Sequence, residues 1–452
     1  MGSWLTSDAP ALRRDPLGTY LKAWREQGDI VHFRLAGPFE AFLVVHPNGV
    51  DRVLRESNQL YGKVPWHNQR FVELLGHGLA TSEGDRWLSR RRLMQPAFHR
   101  DHVAAMAGAM ADSATDVVRR WDRLGRGAVI DMSTEMMRLT LSVAARSLLG
   151  VDASADALRV GPSIDESLRH LIRRIESLIA WPLSVPLPAN KRFVEARRTL
   201  DSFILDLIDR RRADRSGPPN LLDILLDTRD ADTGAPLTER EIGDEVMTML
   251  MAGHESTSVA LTWIWYLLDQ HRDVYEAMRE EVAGVIGDGP VRFDHLSRLR
   301  LTSMVIDEGL RLYPPAWSTT RTPVHDDSIG GRRIPRGKFV IVSPYVTHRH
   351  PAFWPDPEAF RPERFSDGVP SGADRFAYFP FGGGPRLCMG AQFALMEAKI
   401  ILATLASRFR PSVVPGHVVG LDPQVTLRPR GGMPMILEAA RPSTSMTAPK
   451  VA

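Results

Sequence analysis

The stretch FGGGPRLCMG, residues 381–390, decides the reading, because it holds Cys388, the one cysteine among 452 residues. A thiolate is a strong, soft ligand, but it stays deprotonated only beside a metal, a positive charge or backbone N–H donors. Glycines at 382, 383 and 384 permit a tight turn and a close approach of backbone to a bound group, and the N–H groups of such a loop can point at sulfur. Gly390 then leaves room for a helix starting near Ala391 to pack against whatever Cys388 holds. Structural zinc is disfavoured, since it takes about four ligands and the stretch offers neither a second cysteine nor a nearby histidine. The bland alternative is an inert, buried cysteine beside a turn, the commoner fate of a lone cysteine.

Composition sets limits around this stretch. With 43% hydrophobic and 25% charged residues the chain has the make-up of an ordinary globular protein. Its formal charge of +3 is too small for the electrostatic footprint of a nucleic-acid binder. A single cysteine forms no internal disulfide, which fits a reducing compartment. The N-terminal MGSWLTSDAPALRRDPLG has neither a signal-peptide core nor the ~20 apolar residues of a membrane anchor. The expectation is a cytoplasmic protein with no membrane anchor.

Organisation along the chain points to a mainly α protein with minor β. Helical spacing runs through residues 101–121, 135–150, 190–213, 238–270, 297–313 and 391–408. Thr238 and Glu241 form a capping box that opens a helix running to about Gln270, on the order of 45 Å. Asp244, Glu245, His254 and Glu255 interrupt its apolar run, so it is not a membrane span. Strand signals are few. VHFRL and AFLVV form a hairpin across AGPFE, IGGRRIP and KFVIVSPYV a second pair, and VTLRPRGGMPMIL a third. RSGPPN near 215–220 reads as a surface loop, and ARPSTSMTAPKVA at the end as a disordered tail.

The spacing F-x-x-G-x-R-x-C-x-G is filled by Phe381, Gly384, Arg386, Cys388 and Gly390, and resembles the haem-thiolate loop of the cytochrome P-450 family. A haem iron needs only one axial thiolate from the protein. Three further stretches carry the resemblance. EGLR places Glu308 and Arg311 at i, i+3 on one helix face, a common surface pair by itself. Followed by YPP and then by PERF at 362–365, it is similar to the family's buried Glu-Arg-Arg network, with Arg364 as third member. AGHEST, 252–257, lies mid-way along the long helix, where Ala252 and Ser256 share a face. GDRWLSRRRLMQPAF, 84–98, sets Trp87 and Arg91 at i, i+4.

The resemblance implies one catalytic domain covering 1–452, with an ordered core over about 10–440 and the tail beyond it. It implies the cytochrome P-450 fold, with haem b (iron protoporphyrin IX) between the long central helix and the cysteine loop. Cys388 is then the metal ligand and Phe381 shields its sulfur. Trp87, Arg91, Arg321 and Arg386 bind the propionates, Ala252 opens the helix to O2, and Glu255 and Ser256 deliver protons. Serine stands where the family commonly has threonine, which keeps the hydroxyl and loses the methyl that restricts χ1. The implied substrate pocket contains Thr248, Met251, Ala316 and Ser318, with the turn near Gly432 and Met433 and the loop from Tyr61 to Leu79 as further walls.

The implied activity is a monooxygenase of hydrophobic small molecules, using O2 and electrons from a separate ferredoxin and ferredoxin reductase. A terpenoid from secondary metabolism is the first choice, a macrolide or fatty acid the alternative. Arg90 and Arg92 either help form a docking surface for the electron donor or belong to a solvated face. The expected state is a monomer. Rival readings are a haem-thiolate peroxygenase or isomerase, which typically lacks the acid–alcohol pair, a non-catalytic haem sensor, and a haem-free protein with an inert cysteine.

Overall fold

A computed structural model of the chain describes residues 7–35, 37–56, 59–153, 156–177, 181–216, 220–229, 234–287 and 289–439. Residues 217–219 of RSGPPN and the whole ARPSTSMTAPKVA tail lie outside the described residues.

The longest helix, Glu239–Gln270, starts where the capping box places it. Thr238 Oγ1 accepts from the Glu241 N–H (3.3 Å), and the Glu241 carboxylate accepts from the Thr238 N–H (3.0 Å). Two donors that a helix start leaves unsatisfied are thereby paired. We call this the core helix, because most of its residues from Ile242 to Leu268 are buried on all sides. Helix Met132–Leu148 lies along it, and the Thr140 hydroxyl donates to the His254 carbonyl at 2.8 Å. Helix Arg300–Leu312, which carries EGLR, meets the core helix at Gly309, where a Cβ would stand 2.5 Å from Ile264 Cγ1. Only glycine allows the two helices to approach this closely. Its first turn takes a carboxylate from elsewhere, since Glu281 accepts from the N–H groups of Leu301 (2.6 Å) and Thr302 (2.9 Å).

Helices Pro188–Ala213 and Ala391–Ala406 match their expected spans. The 101–121 stretch forms two helices, Arg100–Ala105 and Ala107–Leu124, broken at Met106.

Ile30–Arg34 and Glu40–Val44 pair antiparallel as the expected hairpin. They continue into a five-stranded sheet in which Glu40–Val44 runs parallel to Phe339–Val342, followed by Thr319–Pro323 and Tyr61–Lys63. The other two expected pairings are corrected. Arg332–Ile334 pairs with Asp327–Ile329 before it, not with the KFVIV strand. Leu427–Pro429 pairs with Leu421–Pro423, and Pro434–Ala439 with Val129–Asp131 and Phe409–Val413. Two of these runs pair with the segment just before them, while Pro434–Ala439 finds partners distant in sequence, which local pattern does not reveal. Among the described residues no helix is long and apolar enough to cross a membrane.

Candidate active site

Cys388 sits in a loop fixed from outside as well as within. Its N–H donates to the Phe381 carbonyl (3.0 Å) and the Leu387 N–H to that of Gly384 (3.1 Å). Gly384 has φ +64, and a Cβ there would lie 2.2 Å from the Leu54 carbonyl oxygen, so the loop rests on the end of helix Pro47–Arg55. Any side chain would both strain the backbone and lift the loop. Gly390 is different. A Cβ there meets only Phe98 Cε1 at 3.7 Å, an ordinary contact, so its smallness serves the cavity it borders rather than the protein packing.

Cys388 and Phe381 form one wall of a cavity of about 580 Å³, and the core helix forms the wall opposite. Burial pushes the Cys388 thiol up, against the pull of the Gly390 N–H and the Arg91 guanidinium. A bare thiolate is therefore disfavoured there until a cation sits on the sulfur.

One end of the cavity is cationic. Trp87, buried on helix Gly84–Met94, lies under the Arg386 guanidinium (4.4 Å from ring centroid) and beside that of Arg91 (5.7 Å). Arg91 Nη1 donates to the Leu387 carbonyl (3.2 Å) and Arg386 Nη1 to that of Ser82 (3.0 Å), which ties this helix to the cysteine loop. Arg321 lies directly across the sheet from Lys63 and donates to Thr319 Oγ1 and the Thr320 carbonyl. Lys63 lies within the Tyr61–Leu79 stretch expected as a wall, but its place in the cationic cluster was not anticipated. Its ammonium donates to the carbonyls of Ala80 and Ser82, while burial, with Arg386 and Arg321 adding repulsion, holds it down at about 7. Among the described residues no carboxylate makes an ion pair with Lys63 or Arg321. The signal available was the β-pairing of Lys63 with Arg321, which needs the fold.

The expected haem b fits this constellation on the chemistry of the donors. A lone thiolate candidate faces an open cavity, and half-buried cations gather around an indole N–H with Glu83 as their nearby carboxylate, a donor set that suits further anionic groups of the kind the two propionates supply.

The core helix presents Thr248, Ala252 and Ser256 to the cavity, as expected, together with Met249, Gly253, Thr257 and Ala260. Ala316, Ser318 and Leu79 line the far walls. Met251 does not line it. At about 100° per residue Met251 falls well outside the arc that runs from Thr248 to Thr257, and it packs into the core instead. Met249 takes the place expected of it. The Gly432–Met433 turn is also absent from the wall, because the Met433 N–H is held by Asp131 Oδ1 at 2.7 Å.

The two members of the acid–alcohol pair point to different neighbours. Ser256 faces the cavity, with Oγ donating back to the Ala252 carbonyl at 2.8 Å. Glu255 is buried on another side of the helix, where Oε1 accepts from Thr426 Oγ1 (2.7 Å) and Arg428 Nη2 (3.0 Å). Arg428 in turn pairs with Asp165 at 2.8 Å. Consecutive helical residues do not face each other, and no local pattern signals partners more than 160 residues away.

Below the cysteine loop, Glu308 accepts from Arg311 Nε (2.6 Å) and Nη2 (2.8 Å), with both side chains fully buried. Arg364 Nε stands 3.3 Å from the same carboxylate. Arg311 also donates to the carbonyls of His348, Pro357 and Ala359, and Glu308 accepts the Arg361 N–H. Arg90 is a correction: it is buried and pairs with Glu241 and Glu245, so it forms no docking surface, whereas Arg92 is exposed.

Comparison with known proteins agrees with this geometry. A family model described as Cytochrome P450 matches residues 4–433. Cyclooctatin synthase of Streptomyces melanosporofaciens is 36% identical over 94% of this chain and 91% of its own length. Cyclooctat-9-en-7-ol 5-monooxygenase of the same organism is 34% identical over 96% of this chain and 95% of its own. Pentalenene oxygenase of Streptomyces avermitilis is 34% identical over 89% of this chain and 88% of its own.

Proposed function

Because the chain belongs to the cytochrome P450 family, and is a haem-thiolate monooxygenase with haem b as its cofactor, we propose that it inserts one oxygen atom into a cyclic terpenoid. The observation that carries this is that Cys388 and Ser256 line one and the same mostly apolar cavity. The names of the relatives, a cyclooctatin synthase, a cyclooctatenol monooxygenase and a pentalenene oxygenase, support a compact polycyclic hydrocarbon or its alcohol as substrate class.

Cys388 would hold the iron, and Trp87, Arg91, Arg321, Arg386 and Lys63 the propionates, with Phe381 beside the sulfur. Bound there, haem b would supply the activation of O2, with thiolate ligation by Cys388 favouring O–O cleavage. The protein's own contribution is to place and protect. Thr248, Met249 and Ala316 hold an apolar skeleton against the core helix and exclude water from it. Ser256 carries a proton at Oγ on the cavity wall, one turn from Ala252 in an unbroken helix. Glu255 replenishes that proton from the outer side of the helix after leaving Arg428. Glu308, Arg311 and Arg364 keep the segment before the cysteine loop in place.

Electrons would come from a ferredoxin and its reductase in the cytoplasm, with the chain acting as a monomer. Reconstitution with NADPH, a ferredoxin and a reductase tests the reading against a panel of cyclic terpenes, macrolides and fatty acids. The expected result is a terpene product heavier by one oxygen, with label from 18O2. Turnover with hydrogen peroxide alone, and none with O2 and electron donors, would overturn it.

A further inference from the structure

A second cleft, of about 620 Å³, opens on the surface away from the cysteine loop. Its walls come from four segments distant in sequence: the helix Ala9–Arg14, the helices Ala157–Glu176 and Pro188–Ala213, and the hairpin around Leu421–Pro429. Arg14, with Arg13 beside it, faces Arg169, Arg173, Arg192 and Arg430, and the carboxylates that line the same cleft are Glu166 and Asp422.

Glu166 is shared. Its oxygens lie 2.9 Å from Arg173 Nη2, 3.3 Å from Arg192 Nε and 3.7 Å from Arg169 Nη1. One carboxylate satisfies one guanidinium fork, and although Arg169 Nε and Arg173 Nε also donate to the Asp165 and Arg169 carbonyls (both 3.2 Å), the three arginines keep N–H groups for another acceptor. They are also half-exposed, at 47%, 53% and 56%, whereas Glu166 is 16% exposed, so the carboxylate lies deep and the donors stand at the mouth. Ile172, Pro16 and Pro423 add an apolar strip along the same walls.

We propose that this cleft binds an organic diphosphate. A lone carboxylate or monophosphate would engage one or two of these guanidinium groups. Two linked phosphates present oxygens on several sides and match forks arriving from separate walls, while an attached organic group rests on Ile172 and Pro16. The volume suits a small molecule. A ligand there also joins the helix Ala9–Arg14 to the helix pair and the hairpin, so binding should raise thermal stability.

The probe is inorganic pyrophosphate added to the haem-loaded protein, with sodium chloride at equal ionic strength as control. We expect saturable binding by calorimetry and a melting temperature above that of the chloride control. Arg169→Gln/Arg173→Gln and Arg14→Gln/Arg430→Gln remove donors from different walls, and each pair should weaken binding by about tenfold or more. The thiolate-type CO band and the ligand-free melting temperature of each variant confirm that it is folded. A pyrophosphate effect no larger than that of chloride, or one that both variant pairs retain, overturns the proposal. So does co-sedimentation with phosphatidic acid vesicles without any binding of pyrophosphate, which would make the cleft a lipid contact.

Discussion

Replacing Glu308 by glutamine is the most informative single perturbation outside the cavity. The change keeps the shape and one acceptor oxygen but removes the only charge that balances Arg311, whose side chain has no solvent exposure among the described residues. Arg311 would then remain a buried cation held by the carbonyls of His348, Pro357 and Ala359 alone. Breaking a buried pair in this way costs about 3–5 kcal/mol. That is a large part of the ~5–15 kcal/mol by which domains are stable. The structure also ranks the partners. Arg364 is 11% exposed and its Nε lies 3.3 Å away, so Arg364→Gln should cost no more than about 1 kcal/mol. Glu308→Leu combined with Arg311→Met removes both charges together and should cost less than the sum of the single changes. The assay is urea unfolding of the haem-loaded protein, followed by Soret absorbance and by far-ultraviolet circular dichroism. A Glu308→Gln protein within about 1 kcal/mol of the parent, or no more affected than Arg364→Gln, would refute the reasoning.

Four other outcomes are expected. Cys388→Ser abolishes the far-red-shifted Soret band of the reduced, CO-bound protein, while far-ultraviolet circular dichroism remains. Gly384→Ala, which forces a side chain at φ +64 and against Leu54, lowers haem content after purification, measured as the haem-to-protein ratio. Burial raises Glu245 to about 7, so between its ordinary range near 4.5 and 7 the folded state binds more protons than the unfolded one and stability falls as pH rises. Glu245→Gln still accepts the Leu79 N–H (2.9 Å in the parent) and should flatten that slope and raise the melting temperature at pH 8. Ser256→Thr restores the χ1-restricting methyl and should raise the fraction of NADPH consumed that appears as oxygenated product, with Ser256→Ala lowering it.

What the sequence disclosed was whatever local chemistry determines. The Thr238–Glu241 box, the i, i+3 spacing of Glu308 and Arg311, and the glycines around Cys388 are each complete within a few residues, and their local geometry could be read directly. Met251 and Met249 differ by two positions, and helical geometry alone, applied to the arc of Thr248, Ala252 and Ser256, already separates them: Met249 falls within that face and Met251 outside it. Residues whose environment arrives from afar could not be read this way. Glu255 gives no local sign that Thr426 and Arg428 will claim it. Arg90 and Arg92 look alike in the sequence, yet one is buried against the carboxylates of the core helix and the other lies in solvent. The first hairpin was legible with its partner, but Tyr61–Lys63, Val129–Asp131, Thr319–Pro323 and Phe409–Val413 were not read as strands, and the partners of Pro434–Ala439 come from afar.

The cationic end of the cavity has a consequence for how much of this protein a cell can hold. Burial pushes Lys63, Arg321 and Arg386 toward their neutral forms, with neighbouring cations adding to it at Lys63 and Arg386 and Glu83 opposing it at all three. The cofactor-free chain therefore carries an electrostatic burden, localised where strand Tyr61–Lys63 meets strand Thr319–Pro323, that propionates bound there would discharge. Proteolysis should then open the empty chain first along this seam, and the steady-state amount of protein should follow the supply of haem rather than the rate of synthesis.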